Sequence, residues 1–305
     1  MACAGLVEIT PQDTFWMNED QLKQLTNESG NMMLHFCQYL PQMIKPLDKL
    51  EDAFKKDGRY GLEYSDFEGF YELNKKLAPH RHNHTLIPEY VPCIVMKERL
   101  AEGGLHVLDI GCAGGYQLLE FAKAYPKCSF TGIDIGGDAI RIANETKATE
   151  KITNAVSAPS IDMARIVLQE FHIMDATCLS EKWNGRFDLI VTFGVVHDLT
   201  RPDLCLAGVH RLLKEGGLFA MLEPGSEASI YETKHSSPMA ALHYSMSLLH
   251  GLPISSNGPG ALGVGPMSFG RYADGFIEKA GFEKDNVKKV KPSFFPMATL
   301  YMCRK

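Results

Sequence analysis

The stretch HVLDIGCAGG, residues 106–115, decides the fold. Its apolar run ends in an acid, Asp109, and the chain then turns through glycines into an amphipathic segment. This is the pattern of a strand that leads into a helix. In open α/β sheets such a turn lies at the carboxyl edge of the sheet, where ligands bind. The stretch therefore predicts a strand, a tight turn and a helix that together hold a nucleotide-containing ligand.

Short apolar runs alternate with helical patterns from this point onward. The runs cover residues 105–110, 128–135, 170–176, 187–193 and 217–223. Near-continuous apolar strands separated by helices are typical of a parallel sheet that is covered on both faces. KEGG, residues 214–217, combines a basic side chain with glycines and predicts the end of a helix. The sequence thus predicts an α/β fold with a doubly wound sheet.

The sequence before this core has a different pattern. Residues 14–102 are polar and show helical patterns without a clear strand alternation. We therefore expect residues 1–102 to form a mostly helical N-terminal region or cap, and residues 103–305 to form the sheet domain.

A helix and a loop are expected as an insertion at residues 230–266 of that domain. Residues 236–250 predict the helix, and residues 251–266, GLPISSNGPGALGVGP, predict the loop. A loop of this length and glycine content is uncommon without a functional reason, so it is a candidate lid. The stretch VKKVKPSFFPMATLYMCRK, residues 287–305, predicts an antiparallel pair of strands at the sheet edge.

Composition and charge limit the classes of partner. The chain has 305 residues, 45% of them hydrophobic and 22% charged, and a formal net charge of -6. This charge, without a long basic run, disfavours nucleic acid and anionic membranes and favours a small-molecule partner. No apolar run approaches the roughly 18 residues that a bilayer-crossing helix needs, and we find no signal-peptide pattern. Eight scattered cysteines without a CxxC pair favour a reducing compartment, so a cytoplasmic location is expected.

The residues around the turn indicate which ligand it binds. The dinucleotide fingerprint needs a glycine at the sixth position from Gly111, where this chain has Tyr116. The carboxylate of Asp109 would repel a pyrophosphate bound at the helix N-terminus, whereas it would attract an ammonium group. S-adenosylmethionine carries an amino group and a sulfonium and has no phosphate, so it fits this arrangement.

Two further acids follow the next two strands. Asp134 ends the run at 128–135, where a carboxylate can accept both ribose hydroxyls of an NAD or an S-adenosylmethionine. Asp175 ends the run at 170–176, where it can accept the exocyclic amine of adenine or serve as an ordinary loop acid. The two positions add to the case for a nucleoside ligand.

Several motifs together resemble those of class I S-adenosylmethionine-dependent methyltransferases. The motifs are VLDIGCAGG, GIDIG, MDA and FDLIVTFGVVHDL…LKEGGLFAMLEP, within residues 105–223. GLEYSDFEGFYEL (61–73) and LHYSMSLLHGLPISSNGPGALG (242–263) resemble segments of a small-molecule subfamily that usually carries an N-terminal winged-helix region. Because TFWMNEDQLKQLT (14–26) resembles the stretch just after that region, most of the region is expected to be absent here.

The resemblance implies a mostly parallel, seven-stranded Rossmann-like sheet with an antiparallel C-terminal edge strand. It also implies that Tyr64 closes over the methionine end of the cofactor, although ordinary packing would explain this tyrosine equally well. Ala113 stands where a glycine is commoner in the family. The expected cofactor-binding residues are Tyr64, Asp109, Gly111, Ala113, Gly115, Asp134, Ile135, Asp175, Ala176 and Phe193.

The candidates for acid–base chemistry and for the acceptor pocket are histidines and acids near the sheet edge. His197 and Asp198 follow the fourth strand of the core. A neutral imidazole at His197 could take a proton from a hydroxyl or thiol acceptor, or the residue could cap the next turn. Glu223, at the end of the fifth strand, is either a pocket carboxylate or a cap.

His243 and His250 share one face of the predicted helix, because they are seven residues apart. His250 adjoins the candidate lid and is the second candidate catalytic residue, and His243 is a candidate pocket residue. A buried structural stripe is the alternative for both. HRHNH, residues 80–84, has no acid or cysteine partner at ligand spacing, so no metal is expected.

The sequence therefore predicts a methyltransferase that uses S-adenosylmethionine and yields S-adenosylhomocysteine, with an O, S or N atom of a small molecule as the acceptor. Two alternatives stay open. One is an NAD-linked oxidoreductase, which Asp109 and the missing glycine disfavour. The other is a non-catalytic regulatory protein that binds S-adenosylmethionine. The sequence predicts no oligomeric state. The segment 151–168, before the third strand of the core, is longer than usual and has no predicted role.

Overall fold

The computed structural model describes residues 7–25, 32–82, 85–149, 169–225, 227–295 and 297–305. The long segment 151–168 and the end of the histidine run lie outside the described residues. The strands are β1 (Glu8–Ile9), β2 (Phe15–Trp16), β3 (His106–Ile110), β4 (Ser129–Asp134), β5 (Gln169–Ile173), β6 (Phe187–Phe193), β7 (Leu213–Pro224), β8 (Val287–Val290) and β9 (Ala298–Arg304).

Helices surround these strands. The α-helices are α1 (Glu19–Leu25), α2 (Met32–Ile44), α3 (Leu47–Ala53), α4 (Phe70–His82), α5 (Val91–Cys93), α6 (Lys97–Glu102), α7 (Tyr116–Ala124), α8 (Gly137–Thr149), α9 (Pro202–Leu212), α10 (Ile230–Ser236), α11 (Ala240–Met246), α12 (Leu252–Ser255) and α13 (Pro266–Lys279). Two π-helical turns, Leu86–Tyr90 and Ser247–Gly251, precede α5 and α12. Within the described residues, no helix has both the length and the apolar character required to cross a bilayer.

The central sheet has seven strands in the order β5-β4-β3-β6-β7-β9-β8. Strands β3 to β7 pair in parallel, and β9 is antiparallel to both β7 and β8. The strand order reverses between β3 and β6, and this reversal opens a crevice at the carboxyl ends of these strands. The predicted α/β fold with antiparallel strands at its C-terminal edge is confirmed.

Both faces of the sheet are covered. Val107 and Leu189 face a core that includes α7 and the turn at Leu86–Tyr90. The next residues along the same strands, Leu108 and Ile190, face the opposite core with α9 and α13. Because neighbouring side chains of a strand point to opposite faces, covering both faces requires near-continuously apolar strands.

The N-terminal helical region packs against the segment that carries α12. Leu62 and Phe67 form a buried cluster with Ile254, and the Leu62 N–H donates to the carbonyl oxygen of Pro253 over 3.0 Å. A Cβ atom at Gly61 would lie 2.0 Å from that oxygen. Glycine is therefore required where the two segments meet, and the contact fixes the N-terminal region above the sheet edge.

Three local predictions were wrong. Residues 214–217 belong to β7 and do not end a helix, because Leu213 already pairs with Phe187. Residues 251–255 are helical, and Pro253 is placed in the first turn of α12, where its missing N–H has no cost. The predicted helix at 236–250 begins only at Ala240, where α11 starts, and continues into the π-helical turn Ser247–Gly251, whereas α10 ends at Ser236.

Candidate active site

The turn between β3 and α7 requires its glycines. Gly111 and Gly115 have φ values of 73° and 75°, in the left-handed region that favours glycine. A Cβ atom on Gly111 would lie 2.5 Å from Cγ2 of Val195, in the turn that follows β6. Ala113 also has a positive φ, 46°, and is the non-glycine exception in this turn. The left-handed backbone conformation and the close approach of Val195 together explain why the motif has glycine at position 111.

Asp134 receives hydrogen bonds from three directions. Its Oδ2 accepts the Ala113 N–H over 2.9 Å, and its Oδ1 accepts the Gly136 N–H over 2.8 Å and the Tyr71 hydroxyl over 3.3 Å. Burial raises the pKa of Asp134, and the N–H donors of Gly136 and Ala113 oppose that shift. The carboxyl group thus joins the end of β4, the glycine turn and helix α4 of the N-terminal region.

Asp109 lies deeper than the sequence argument assumed. The residue is 1% exposed and is not among the described residues that line the cavity. Burial, with the nearby charge of Asp134, holds the pKa of Asp109 well above its usual value. This shift favours the protonated acid over the carboxylate that was expected to attract an ammonium group.

A cavity of about 1280 Å³ extends from the glycine turn across the carboxyl edge of the sheet. Many of the residues predicted for the site line this cavity. They are Tyr64, Gly111, Ala113, Asp134, Ile135, Asp175, Ala176, Phe193, His197, Asp198, His243 and His250. Gly115 and Glu223, like Asp109, are not among the lining residues that the structure describes.

His197 lies between two carboxylates. Its Nδ1 is 2.5 Å from Oε2 of Glu223, and its Nε2 is 3.1 Å from Oδ1 of Asp198. Burial lowers the pKa of His197, but the charges of Asp198 and Glu223 outweigh burial and raise it to about 10. This pKa favours an imidazolium at neutral pH over the neutral imidazole that the sequence predicts at this position.

Glu223 holds the turn that carries His197. Its Oε1 accepts the N–H groups of Val195 and Val196 over 3.1 and 2.9 Å, and its side chain is almost fully buried. Of the two roles open from the sequence, the structure favours the cap over the pocket carboxylate. The contact could not be read from the sequence because Glu223 reaches back to the end of a neighbouring strand.

His250 is the neutral histidine of this site. Its ring stacks on Phe70 with centroids 4.9 Å apart and contacts Phe67 at 4.7 Å. Burial lowers the pKa of His250, and the positive charge of His197 adds to this effect while Asp198 opposes it. Its Nε2 is buried without a hydrogen-bond partner in the part of the chain that the structure describes. His250 thus lines the cavity as a residue whose lowered pKa favours the neutral imidazole.

Asp198 connects the two histidines and the N-terminal region. Its Oδ2 accepts the Tyr64 hydroxyl over 2.8 Å and lies 4.0 Å from Nδ1 of His250. Burial raises the pKa of Asp198, but the charge and hydrogen bond of His197, together with His250 and the Tyr64 hydroxyl, outweigh burial and lower it. A Cβ atom on Gly251 would lie 2.6 Å from the other oxygen, Oδ1. Asp198 is therefore a carboxylate whose position depends on a glycine in the second π-helical turn.

Three other predicted residues line the cavity but lie outside the hydrogen bonds and ion pairs around His197 and Asp198. Asp175 is exposed, and its Oδ1 accepts both the N–H and the hydroxyl of Thr177 over 2.8 Å. His243 is half-buried, and Ile135 is 57% exposed. The described residues contain no group of three or more His, Cys, Asp or Glu side chains that could hold a metal ion.

Tyr71 is the site residue that the sequence analysis missed. It is part of the segment 61–73 that was compared with the subfamily, and it follows Phe70 at the start of α4. Burial, with the nearby charge of Asp134, raises the pKa of Tyr71, so its hydroxyl stays protonated and donates. The available signal was its place in that segment, but nothing in a sequence shows which strand end a cap residue will reach.

Comparisons with known proteins agree with this geometry. The sequence profile of a family described as a methyltransferase domain matches residues 101–253, half of the chain. The ubiquinone biosynthesis O-methyltransferase of Pseudomonas aeruginosa (strain LESB58) is 29% identical over 120 residues, which are 39% of this chain and 44% of that protein. The chain thus covers less than half the length of such curated relatives.

Two solved structures share the fold. An O-methyltransferase family protein from Burkholderia thailandensis superposes with a TM-score of 0.60 and 13% identity, covering 100% of this chain and 81% of that one. Human N-acetylserotonin methyltransferase, solved in complex with SAM, gives 0.55 and 15%, covering 100% and 80%. Together with the profile match over the strand, turn and helix described above, these similarities show that the chain belongs to the methyltransferase-domain family.

Proposed function

We propose that the protein transfers a methyl group from S-adenosylmethionine to a hydroxyl oxygen of a small molecule. One observation carries the proposal: a single cavity is lined by the glycine turn, by Asp134 and by His250, whose buried Nε2 has no hydrogen-bond partner among the described residues. Its volume of about 1280 Å³ exceeds the roughly 300–1,000 Å³ of a pocket for one ligand. The cavity has room for a cofactor and an acceptor together.

The residues around the turn fit this cofactor. Gly111 lets the turn approach Val195 closely at the end of β6, and Asp134 ends β4 where ribose hydroxyls are bound in nucleoside sites. Ile135, Ala176 and Phe193 add apolar surface to the same wall. When bound, S-adenosylmethionine supplies a methyl group activated by its sulfonium.

His250 is assigned the acceptor's proton. Its neutral Nε2 accepts the hydroxyl proton as the oxygen gains the methyl group, which requires an imidazole that is not already protonated. The carboxylate of Asp198, 4.0 Å from Nδ1, stabilises the imidazolium that results. His197, held by Glu223, pairs with Asp198 and keeps its carboxylate in place.

The acceptor is proposed to be largely apolar. Side chains of Met43, Phe67, Phe70 and Met246 line the cavity around His250, and they exclude water from the reacting groups. Oxygen is chosen over sulfur or nitrogen because relatives are named O-methyltransferases and because a hydroxyl must lose a proton to a base.

We further propose the division into a cap at 1–102 and a methyltransferase domain at 103–305, as well as a cytoplasmic location. The small clusters that join the N-terminal helices to the segment around Ile254 support the first proposal. The free thiols of Cys93, Cys112, Cys128, Cys178, Cys205 and Cys303 support the second.

Thermal unfolding with S-adenosylmethionine, S-adenosylhomocysteine or NAD tests the cofactor. A ligand present at a hundred times its dissociation constant adds about 2.7 kcal/mol, which raises the unfolding midpoint of a chain of this size by roughly 5 °C. We expect this rise with the two sulfur ligands, and we expect Asp134→Asn to lose most of it. A rise with NAD alone would support the oxidoreductase instead.

A comparison of His250→Gln with His235→Gln tests the proton acceptor. Loss of a general base lowers kcat by roughly a hundredfold or more, so we expect that loss in His250→Gln, measured by transfer of labelled methyl groups across a panel of apolar hydroxyl acceptors. His235 is exposed on α10, and its variant should keep the wild-type kcat. Because burial lowers the pKa of His250, wild-type kcat should decline only below about pH 6.5. An unchanged kcat in His250→Gln would remove the residue from the mechanism.

A further inference from the structure

We propose that the Tyr71 hydroxyl occupies a position on Asp134 that a ribose hydroxyl of the cofactor takes over. Tyr71 then acts as a placeholder that must release Asp134 before the cofactor is fully bound. This inference rests on the proposed function, because it takes S-adenosylmethionine as the ligand of the glycine turn.

The lone pairs of Asp134 are largely taken up by hydrogen-bond donors of the protein. A carboxylate offers about four acceptor positions. The N–H groups of Ala113 and Gly136 and the Tyr71 hydroxyl use three of them, and the backbone of Ile135 donates to the same carboxyl group. A ribose presents two adjacent hydroxyls and needs two positions. The present donors leave fewer than two positions, so at least one of them must leave when both ribose hydroxyls bind.

Tyr71 is the donor that can leave. The N–H groups of Ala113 and Gly136 belong to backbone next to the strand ends, and their bonds of 2.9 and 2.8 Å are shorter than the 3.3 Å bond from Tyr71. Moving either backbone group would disturb the β3–α7 or β4–α8 connection. Moving Tyr71 requires only a side-chain rotation or a small shift at the start of α4.

The ion pair next to Tyr71 holds α4 to α8 only weakly. Glu72, the next residue, pairs with Arg141 of α8 at 3.4 Å, with side chains that are 60% and 50% exposed. Exposed pairs of this kind contribute little to stability. The tyrosine side chain also fits this position closely, since a Cβ atom on Gly136 would lie 2.3 Å from its hydroxyl oxygen. A glycine at 136 thus provides the space that the placeholder occupies.

Removing the placeholder should tighten cofactor binding. In Tyr71→Phe the ribose no longer displaces a hydrogen bond, so the dissociation constant of S-adenosylhomocysteine, measured by titration calorimetry, should fall roughly three- to tenfold, the range of one hydrogen bond. The 2′,3′-dideoxy analogue of S-adenosylhomocysteine lacks both ribose hydroxyls and needs no position on Asp134. Its dissociation constant should therefore change much less in the same variant.

Tyr272→Phe is the matched control, because Tyr272 is 53% exposed on α13 and its variant should bind both ligands like the wild type. Weaker or unchanged binding of S-adenosylhomocysteine by Tyr71→Phe would overturn the placeholder while leaving the proposed function intact. Tightening by the same factor for both ligands would also overturn it. Failure of the wild type to bind S-adenosylhomocysteine would overturn the proposed function, and the placeholder with it.

Discussion

At the scale of single residues, the charge of His197 has a consequence for stability. Its pKa is raised to about 10 in the folded protein, whereas an unfolded histidine titrates near pH 6.5. A raised pKa stabilises the fold fully below the unfolded value, and this contribution is lost as the pH rises through the folded value. We therefore expect the free energy of unfolding to fall between pH 7 and pH 10, as measured by urea titration.

The variant His197→Gln isolates this contribution. It removes the titrating group and its contacts with Asp198 and Glu223, so it should be less stable than the wild type at pH 7, with a gap that narrows towards pH 10. His235→Gln, at an exposed site, should show the wild-type pH dependence. A gap of constant size would mean that His197 is neutral in the folded protein.

At the scale of elements, two glycines with φ in the left-handed region distinguish the cost of backbone strain from the cost of close packing. Gly111 lies in the turn between β3 and α7, and Gly216 lies in β7. Gly111 and Gly216 have nearly equal φ values, 73° and 72°, but a Cβ atom would meet Val195 at 2.5 Å in the first case and nothing within 4 Å in the second. We expect Gly216→Ala to cost about 1 kcal/mol and Gly111→Ala roughly 1–3 kcal/mol more. Urea unfolding of both variants measures the difference, and equal losses would show that the Val195 contact relaxes.

The elements also show what a sequence can predict. The pattern FDLIVTF predicted β6 residue for residue, because strands buried on both faces are read directly from apolar runs. Residues 213–216 were predicted as the end of a helix but form the start of β7, because Leu213 pairs with Phe187. Residues 251–255 were predicted as a loop from their glycine and proline, but Pro253 lies in the first turn of a helix. Asp134 and His250 were identified as candidates from the sequence, whereas the contacts of Tyr71 and Glu223 depend on tertiary packing.

At the scale of the whole molecule, the cavity is acidic. Among the described residues, the carboxylates that line it outnumber the cations Arg141 and Lys291 and the protonated His197. They are Glu63, Glu68, Glu72, Asp134, Asp138, Asp175 and Asp198. The net charge of the chain is also negative, at -6. This field favours S-adenosylmethionine, which carries the sulfonium charge, over S-adenosylhomocysteine, which lacks it.

The ratio of the two affinities should therefore depend on salt. Raising the ionic strength from about 0.01 M to 1 M shortens the screening length from about 30 Å to 3 Å, so the preference for S-adenosylmethionine should decline across that range. Calorimetric titrations of both ligands at each salt concentration measure it. A ratio that stays constant would indicate that contact chemistry alone separates the two ligands.

The position of β9 also bears on how the chain reaches its fold. Strand β7, which carries Glu223, gains its second neighbour only when residues 298–304 return from far along the sequence. Until then FAML, residues 219–222, forms an exposed and apolar strand edge, which is a template for pairing with other chains. Such long-range pairing is slow. Aggregation during refolding should therefore be most sensitive to substitutions that weaken the β7–β9 pair.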